Sequence, residues 1–239
     1  LTKSEEIYLT ISHHIFFTYN DKKYNLNSVS AFVQLLNFVL LTAPELKVLR
    51  QKVRDDYHVF EELFNSWCHN IIACFSLCLM GGKYYLGSLV IKHMDSENLS
   101  VGSLLQAERL AEFFDSSPFL RARLTLLESY EDSSGNEENK DHSCDGTKAD
   151  LLSCLHGLLS LLQTSNTRRR LEDRIRLLGL ALGSNRTILP YSSNDTNSDS
   201  SNRTWHTQNE LGRSNDKDSS KRNVDKLLIH FQAIQSHYA

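Results

Sequence analysis

Cys68, His69, Cys74 and Cys78 fall within eleven residues. Such a concentration raises two chemistries, a zinc site and a thiolate nucleophile. Finger-type zinc sites need two short-spaced ligand pairs separated by a loop, so that four ligands can close a tetrahedron. Here the run from Ile71 to Met80 is almost wholly apolar, with no turn residue before Gly81-Gly82. On a helix Cys74 and Cys78 share one face, and no second ligand pair follows. A Cys–His nucleophile pair needs an exposed, activated thiolate, and adjacent residues on a helix point about 100° apart. We therefore expect buried free thiols that act as small hydrophobes, and no metal. His13-His14 has no acidic or cysteine ligand at matching spacing. No G-x-S-x-G, glycine-rich phosphate loop or metal-ligand set occurs elsewhere. The expectation is no catalytic residue, no cofactor and no enzyme.

The elements that carry these residues read as helices. Only three prolines and ten glycines occur in 239 residues, which suits helices and argues against a turn-rich β domain. Val29–Leu41 is apolar on all sides and predicts a buried helix. Thr42 and Glu45 have capping-box spacing, with Pro44 in the first turn, and Leu46, Leu49 and Val53 mark one face of the helix that follows. Val59–Trp67 and Ile71–Met80 continue the pattern up to Gly81-Gly82. Tyr84–Met94 and Val101–Phe114 read as an antiparallel pair. Ser117 and Pro118 open a helix running to Glu128, and Leu151–Leu162 with Thr167–Leu182 form another pair. At the start, Ile7, Ile11 and Ile15 suit a helix while Ile7, Leu9 and Ile11 suit a strand; the helical company decides for helix.

The expected fold is all-α, a helical-repeat solenoid of the HEAT/armadillo kind with two disordered insertions and a separate C-terminal helix. Residues 1–128 form the solenoid, 129–148 a disordered acidic insertion and 149–182 a helical hairpin completing the solenoid. Residues 183–222 form a disordered Ser/Asn-rich linker and 223–239 an amphipathic helix. The acidic insertion holds six carboxylates and two lysines among small polar residues, with almost nothing to bury. Five cysteines, three of them in one apolar stretch, favour a reducing compartment. A net charge of -3 makes no electrostatic case for nucleic acid. No apolar run reaches the roughly 18 residues of a spanning helix, so a soluble chain is expected. Leu1 in place of Met reads as a piece of a longer protein.

Two surface features remain. Arg168-Arg169-Arg170 with Arg174 and Arg176 is the basic concentration of the chain. It reads either as a site for anionic lipid or an acidic partner, or as a solvated helix face. The scatter of the arginines favours the solvated face. Val224, Leu227, Phe231, Ile234 and Tyr238 recur at alternating three and four, a coiled-coil-like seam. Two heptads are marginal alone, so the seam needs a surface. Its own solenoid and a neighbouring subunit fit equally.

Ordered along the chain are Leu40-Leu41-Thr42, Glu45-Leu46, Leu49-Arg50, Trp67-Cys68-His69-Asn70 and Ser76-Leu77-Cys78-Leu79. Pro118, Phe119, Arg121, Leu126-Leu127, Gly157-Leu158-Leu159, Leu161-Leu162, Leu227-Leu228, His230-Phe231 and Gln235 follow. In this order, from Ser28 to His237, they resemble the carboxy-terminal region of the Vac-fourteen family of vacuole-morphology scaffolds. Ile71 stands where that family's pattern has proline. The resemblance implies a non-catalytic scaffold that assembles a PIKfyve-type lipid kinase and a Sac-type phosphoinositide phosphatase, and itself as a homo-oligomer. Such a complex controls phosphatidylinositol 3,5-bisphosphate. It implies peripheral placement on the cytosolic face of endosomal and vacuolar membranes, with membrane association indirect. Candidate partner-binding or assembly residues are Trp67, His69, Asn70, Pro118, Phe119, Arg121, Leu227, His230 and Phe231. A generic helical-repeat adaptor unrelated to lipid kinases is the alternative.

Overall fold

Among the described residues, helical periodicity and polar caps set out eleven α-helices and no strand. They are α1 (Lys3–Thr18), α2 (Leu26–Thr42), α3 (Lys47–Asp55), α4 (Tyr57–Trp67), α5 (Ile71–Gly81), α6 (Tyr84–Lys92), α7 (Val101–Phe113), α8 (Leu120–Leu127), α9 (Lys148–Leu161), α10 (Asn166–Leu180) and α11 (Ser214–Gln235). Short 3₁₀ turns at Pro44–Leu46 and Ser117–Phe119 lead into α3 and α8. The structure, a computed structural model, describes residues 2–18, 25–94, 100–127, 147–162, 166–180 and 214–238. Most of the expected acidic insertion and Ser/Asn-rich linker lies outside these. At the edges, α9 begins at Lys148 and α11 at Ser214, earlier than the expected starts at residues 149 and 223.

The fold is built around α5. Every residue from Ile72 to Gly81 is buried, because α2, α3, α4, α6, α7, α8 and the Ser117–Phe119 turn all pack against it. A helix apolar on all sides has to sit where neighbours cover each side. Asn70 caps its start, accepting from the Ala73 amide at 2.9 Å. Gly82 ends it at φ 75°, a left-handed conformation that glycine adopts without strain.

Local chemistry sets the other boundaries. Asn25, Asp56 and Ser100 cap α2, α4 and α7, and Thr147 with Asp150 forms a full capping box on α9. The capping box expected at Thr42 and Glu45 does not form. Thr42 is the last residue of α2, and its hydroxyl donates back to the Phe38 carbonyl at 2.7 Å. Arg50 instead closes that corner, donating to the carbonyls of Leu40 (2.7 Å) and Ala43 (2.8 Å) at the end of α2. Ser117 likewise lies inside its turn instead of capping it, and Ser116 holds the N-cap position while its hydroxyl donates back to the Phe113 carbonyl.

Three packing expectations change. The first segment is helical, but its buried face is Glu5, Tyr8, Ser12 and Ile15, while Ile7 and Ile11 are exposed. The Tyr8 hydroxyl reaches the Leu36 carbonyl of α2 at 2.8 Å, and the Ser12 carbonyl receives Ser66 of α4 at 2.7 Å. These long-range bonds select that face. Next, α6 packs mainly on α5 and α9, and α7 on α10, so α6 and α7 are not the expected pair. Small residues decide this: a Cβ on Gly157 would meet Ile91 at 2.8 Å, and one on Gly87 would meet Cys154 at 3.1 Å. Glycine at both places lets α9 close on α6. Finally, α2 is not buried all round. Val33, Leu36, Leu40 and Leu41 face the core, whereas Phe32, Leu35, Phe38 and Val39 are exposed.

Candidate functional site

The Trp67–Asn70 run occupies the corner where α4 turns into α5. Trp67 and Cys68 are fully buried, and His69 and Asn70 nearly so. Asn70 does double duty: while its oxygen caps α5, its amide nitrogen donates to the Ser30 hydroxyl of α2 at 3.1 Å. His69 Nδ1 lies 3.0 Å from the hydroxyl of Tyr238, just past α11, and that hydroxyl donates to the Leu26 carbonyl at 3.2 Å. One corner therefore joins α2, α4, α5 and the end of α11.

The last helix docks on this corner. Leu227, Phe231 and Ile234 are buried, and Val224 and Tyr238 are partly buried against the core. The helix lies on α4 and α6 of its own chain, one of the two surfaces the seam allowed. Polar contacts lock the register. Gln235 donates to the Cys68 carbonyl, His230 Nε2 lies 3.4 Å from the Asn65 carbonyl, and Gln232 meets His93 at 3.0 Å. The His93 and Phe231 rings pack at 5.7 Å.

Of the nine residues singled out from the sequence, Trp67, His69, Asn70, Leu227, His230 and Phe231 thus converge on one junction. Pro118 and Phe119 lie elsewhere, buried in the turn against α5, where the Phe119 ring stacks on Phe114 at 6.2 Å. Arg121 is exposed on α8. The buried ones among them hold the helices in place.

Electrostatics at the junction are unusual for a histidine. Burial, together with the nearby His230 and His237, lowers the His69 pKa from 6.5 to about 4. The side chain is neutral at physiological pH. The thiols show the opposite shift with the same cause. Burial pushes Cys74, Cys78 and Cys154 well above their ordinary range, away from thiolate chemistry. No three His, Cys, Asp or Glu side chains among the described residues converge as metal ligands would.

What is exposed is different in kind. On α2, Phe32, Leu35, Phe38 and Val39 form an outward apolar face, extended by Phe113 of α7, whose ring meets Phe38 edge-on at 6.0 Å. Sequence reasoning missed it because every face of α2 is apolar; periodicity carries no sign of which one is left uncovered. On α10, Leu171 and Ile175 are buried, and Arg169, Arg170, Arg174 and Arg176 point outward. No single helix among the described residues is long and apolar enough to cross a membrane.

The molecule is thus an all-α protein of packed helices with a tied internal junction and exposed helix faces. Residues 1–178 match the family model described as vacuolar protein 14 C-terminal Fig4p binding, and the chain belongs to that family. The match starts at residue 1, upstream of Ser28. Among similar proteins is the vacuole morphology and inheritance protein 14 of Saccharomyces cerevisiae, 28% identical over 236 residues. That alignment covers 98% of this chain and 23% of the yeast protein. The VAC14 homolog of Arabidopsis thaliana is 33% identical over 183 residues, covering 74% of this chain and 22% of its own length. The Schizosaccharomyces pombe homolog is 33% identical over 156 residues, covering 64% of this chain and 17% of its own. The chain therefore spans less than a quarter of the length of each. No solved structure matches.

Proposed function

We propose that this chain is the partner-binding end of a vacuole-morphology scaffold. It acts without catalysis, holding a Sac-type phosphoinositide phosphatase of the Fig4p kind, a PIKfyve-type lipid kinase and further copies of itself. Through them it sets the level of phosphatidylinositol 3,5-bisphosphate at the cytosolic face of endosomal and vacuolar membranes. The observation that carries the reading is the match of residues 1–178 to a model described by Fig4p binding.

The exposed face of α2 is the phosphatase contact in this proposal. It lies inside the matched residues, whereas α11 lies beyond them. Its aromatic and aliphatic side chains are those that anchor interfaces once water is excluded. The buried junction serves the contact indirectly, since Asn70 fixes α2 on α5 through Ser30. The test is co-expression with a Fig4p-type phosphatase. A Leu35→Asp, Phe38→Asp variant should lose co-purification while its melting temperature stays near wild type, because both positions face solvent. Retained co-purification would move the contact off α2. Failure of the wild-type chain to retain any phosphatase or kinase would leave a generic helical adaptor as the better reading.

A further inference from the structure

We propose that the outward surface of α8 and α10 docks on an anionic membrane, a direct contact additional to any made through protein partners. It does not rest on the partner assignments above. On α10 the exposed positions include Arg169, Arg170, Asp173, Arg174, Arg176 and Leu177, with Leu177 63% exposed. Arg168, half-buried, is instead engaged with the Glu172 carboxylate at 2.9 Å and the Leu162 carbonyl at 3.1 Å. Arg174 is held by Asp115 at 3.1 Å. That leaves Arg169 and Arg176 facing water beside Asp173, while Arg170 lines a pocket with Glu112 and Asp115 at the end of α7.

Beside this face runs an apolar stripe. Leu120, Leu124 and Leu127 of α8 recur at i, i+4 and i+7 and are 50%, 50% and 41% exposed. The two helices pack together, and Arg123 of α8 (3.9 Å) and Arg174 of α10 meet on the same Asp115 carboxylate. The helix sides bearing those two arginines border one groove. Around their axes, Leu120 and Leu127 lie within about 60° of Arg123, and Arg170 and Leu177 within about 60° of Arg174. Leu120, Leu127, Arg170 and Leu177 therefore open onto the same side of the molecule, and Arg169 and Arg176 form the outer flank of α10, about 140° and 160° from Arg174.

The mixture chooses the partner. An acidic protein segment would satisfy guanidinium groups and leave four leucines in water. The headgroup layer of a bilayer satisfies both, with arginines at the phosphates and leucines at the acyl boundary. Arginine suits phosphate because its planar fork makes paired hydrogen bonds.

Flotation of the full chain with vesicles tests this. Vesicles of phosphatidylcholine with phosphatidylserine should carry the chain at low salt, vesicles of phosphatidylcholine alone should not, and added salt should release it. Arg169→Glu, Arg170→Glu, Arg176→Glu should weaken binding about a hundredfold or more. Leu120→Ser, Leu124→Ser should weaken it about tenfold at unchanged net charge. Lys3→Glu, Lys47→Glu, on other exposed faces, should bind as wild type. Circular dichroism and thermal melts verify that each variant is folded. The proposal fails if wild type ignores phosphatidylserine vesicles, including the case in which it binds polyglutamate instead. Equal loss in the lysine control reduces the effect to net charge and also overturns it. Full binding by the leucine variant overturns the joint surface.

Discussion

Asn70 holds two helices with one side chain, capping α5 through its oxygen and reaching Ser30 of α2 through its nitrogen. The residues beside it act in the same way, by being buried and specific. Cys78 is completely enclosed, and a carboxylate there would have no partner and no water. Cys78→Asp is expected to cost several kcal/mol, read as a large drop in melting temperature. Stoichiometric zinc in the purified protein, lost together with folding on chelation, would defeat this account of the thiols. His69 makes a pH prediction. Its folded pKa of about 4 lies below the ordinary 6.5, so the unfolded chain takes up the proton first as pH falls. The stability from neutral His69 is complete above pH 6.5 and is lost progressively down to about pH 4. The loss is on the order of 3 kcal/mol at most. Denaturant melts across that window should show a steeper decline for wild type than for His69→Gln. Parallel slopes would place the titration elsewhere.

At the scale of elements, the decisive contact is α11 on α4 and α6. Phe231 is its centre, fully buried and packed on the His93 ring. Phe231→Asp puts an uncompensated charge into the body of the chain itself, so stability should fall by several kcal/mol. Any loss of assembly should follow from that. Light scattering and thermal melts on the same variant separate the order of events. Weakened assembly at an unchanged melt would mean that α11 exchanges its seat for one on a neighbour. The α6–α9 contact makes a related point. Gly87 and Gly157 allow a close approach, and helices joined by the shortest connection lose to helices that fit best.

For the whole molecule, the acidic residues between Leu127 and Thr147 stand apart in composition from the helices on either side. The connection between Leu127 and Thr147 carries the acidic run, while α8 and α9 on either side pack together. Loop-closure cost varies slowly with length, so deleting residues 133–142 should shift stability by no more than about 1 kcal/mol. The proposed partner binding should survive. A folded deletion variant that no longer assembles would make the acidic run a binding element. The proposed partner contact on α2 and the proposed membrane contact on α8 and α10 use different helices, so the two can be disrupted independently.

Much of this was legible in the residues themselves. The 3.6-residue period and the glycines mark the helices, and the apolar surround of Ile71–Met80 places it in the core. The spacing of Leu227, Phe231 and Ile234 marks a face that must be covered. These are local properties, set by side-chain type and by which neighbours share a turn. What covers each face is not local. Only the tertiary structure seats α11 on its own chain, brings α9 onto α6 and leaves Phe32, Leu35 and Phe38 open on a helix apolar all round. Contacts such as Tyr8 to Leu36, Asn70 to Ser30 and His69 to Tyr238 join residues far apart in the chain. Periodicity records that a surface is apolar; shape and hydrogen-bond partners, found only on folding, decide what meets it.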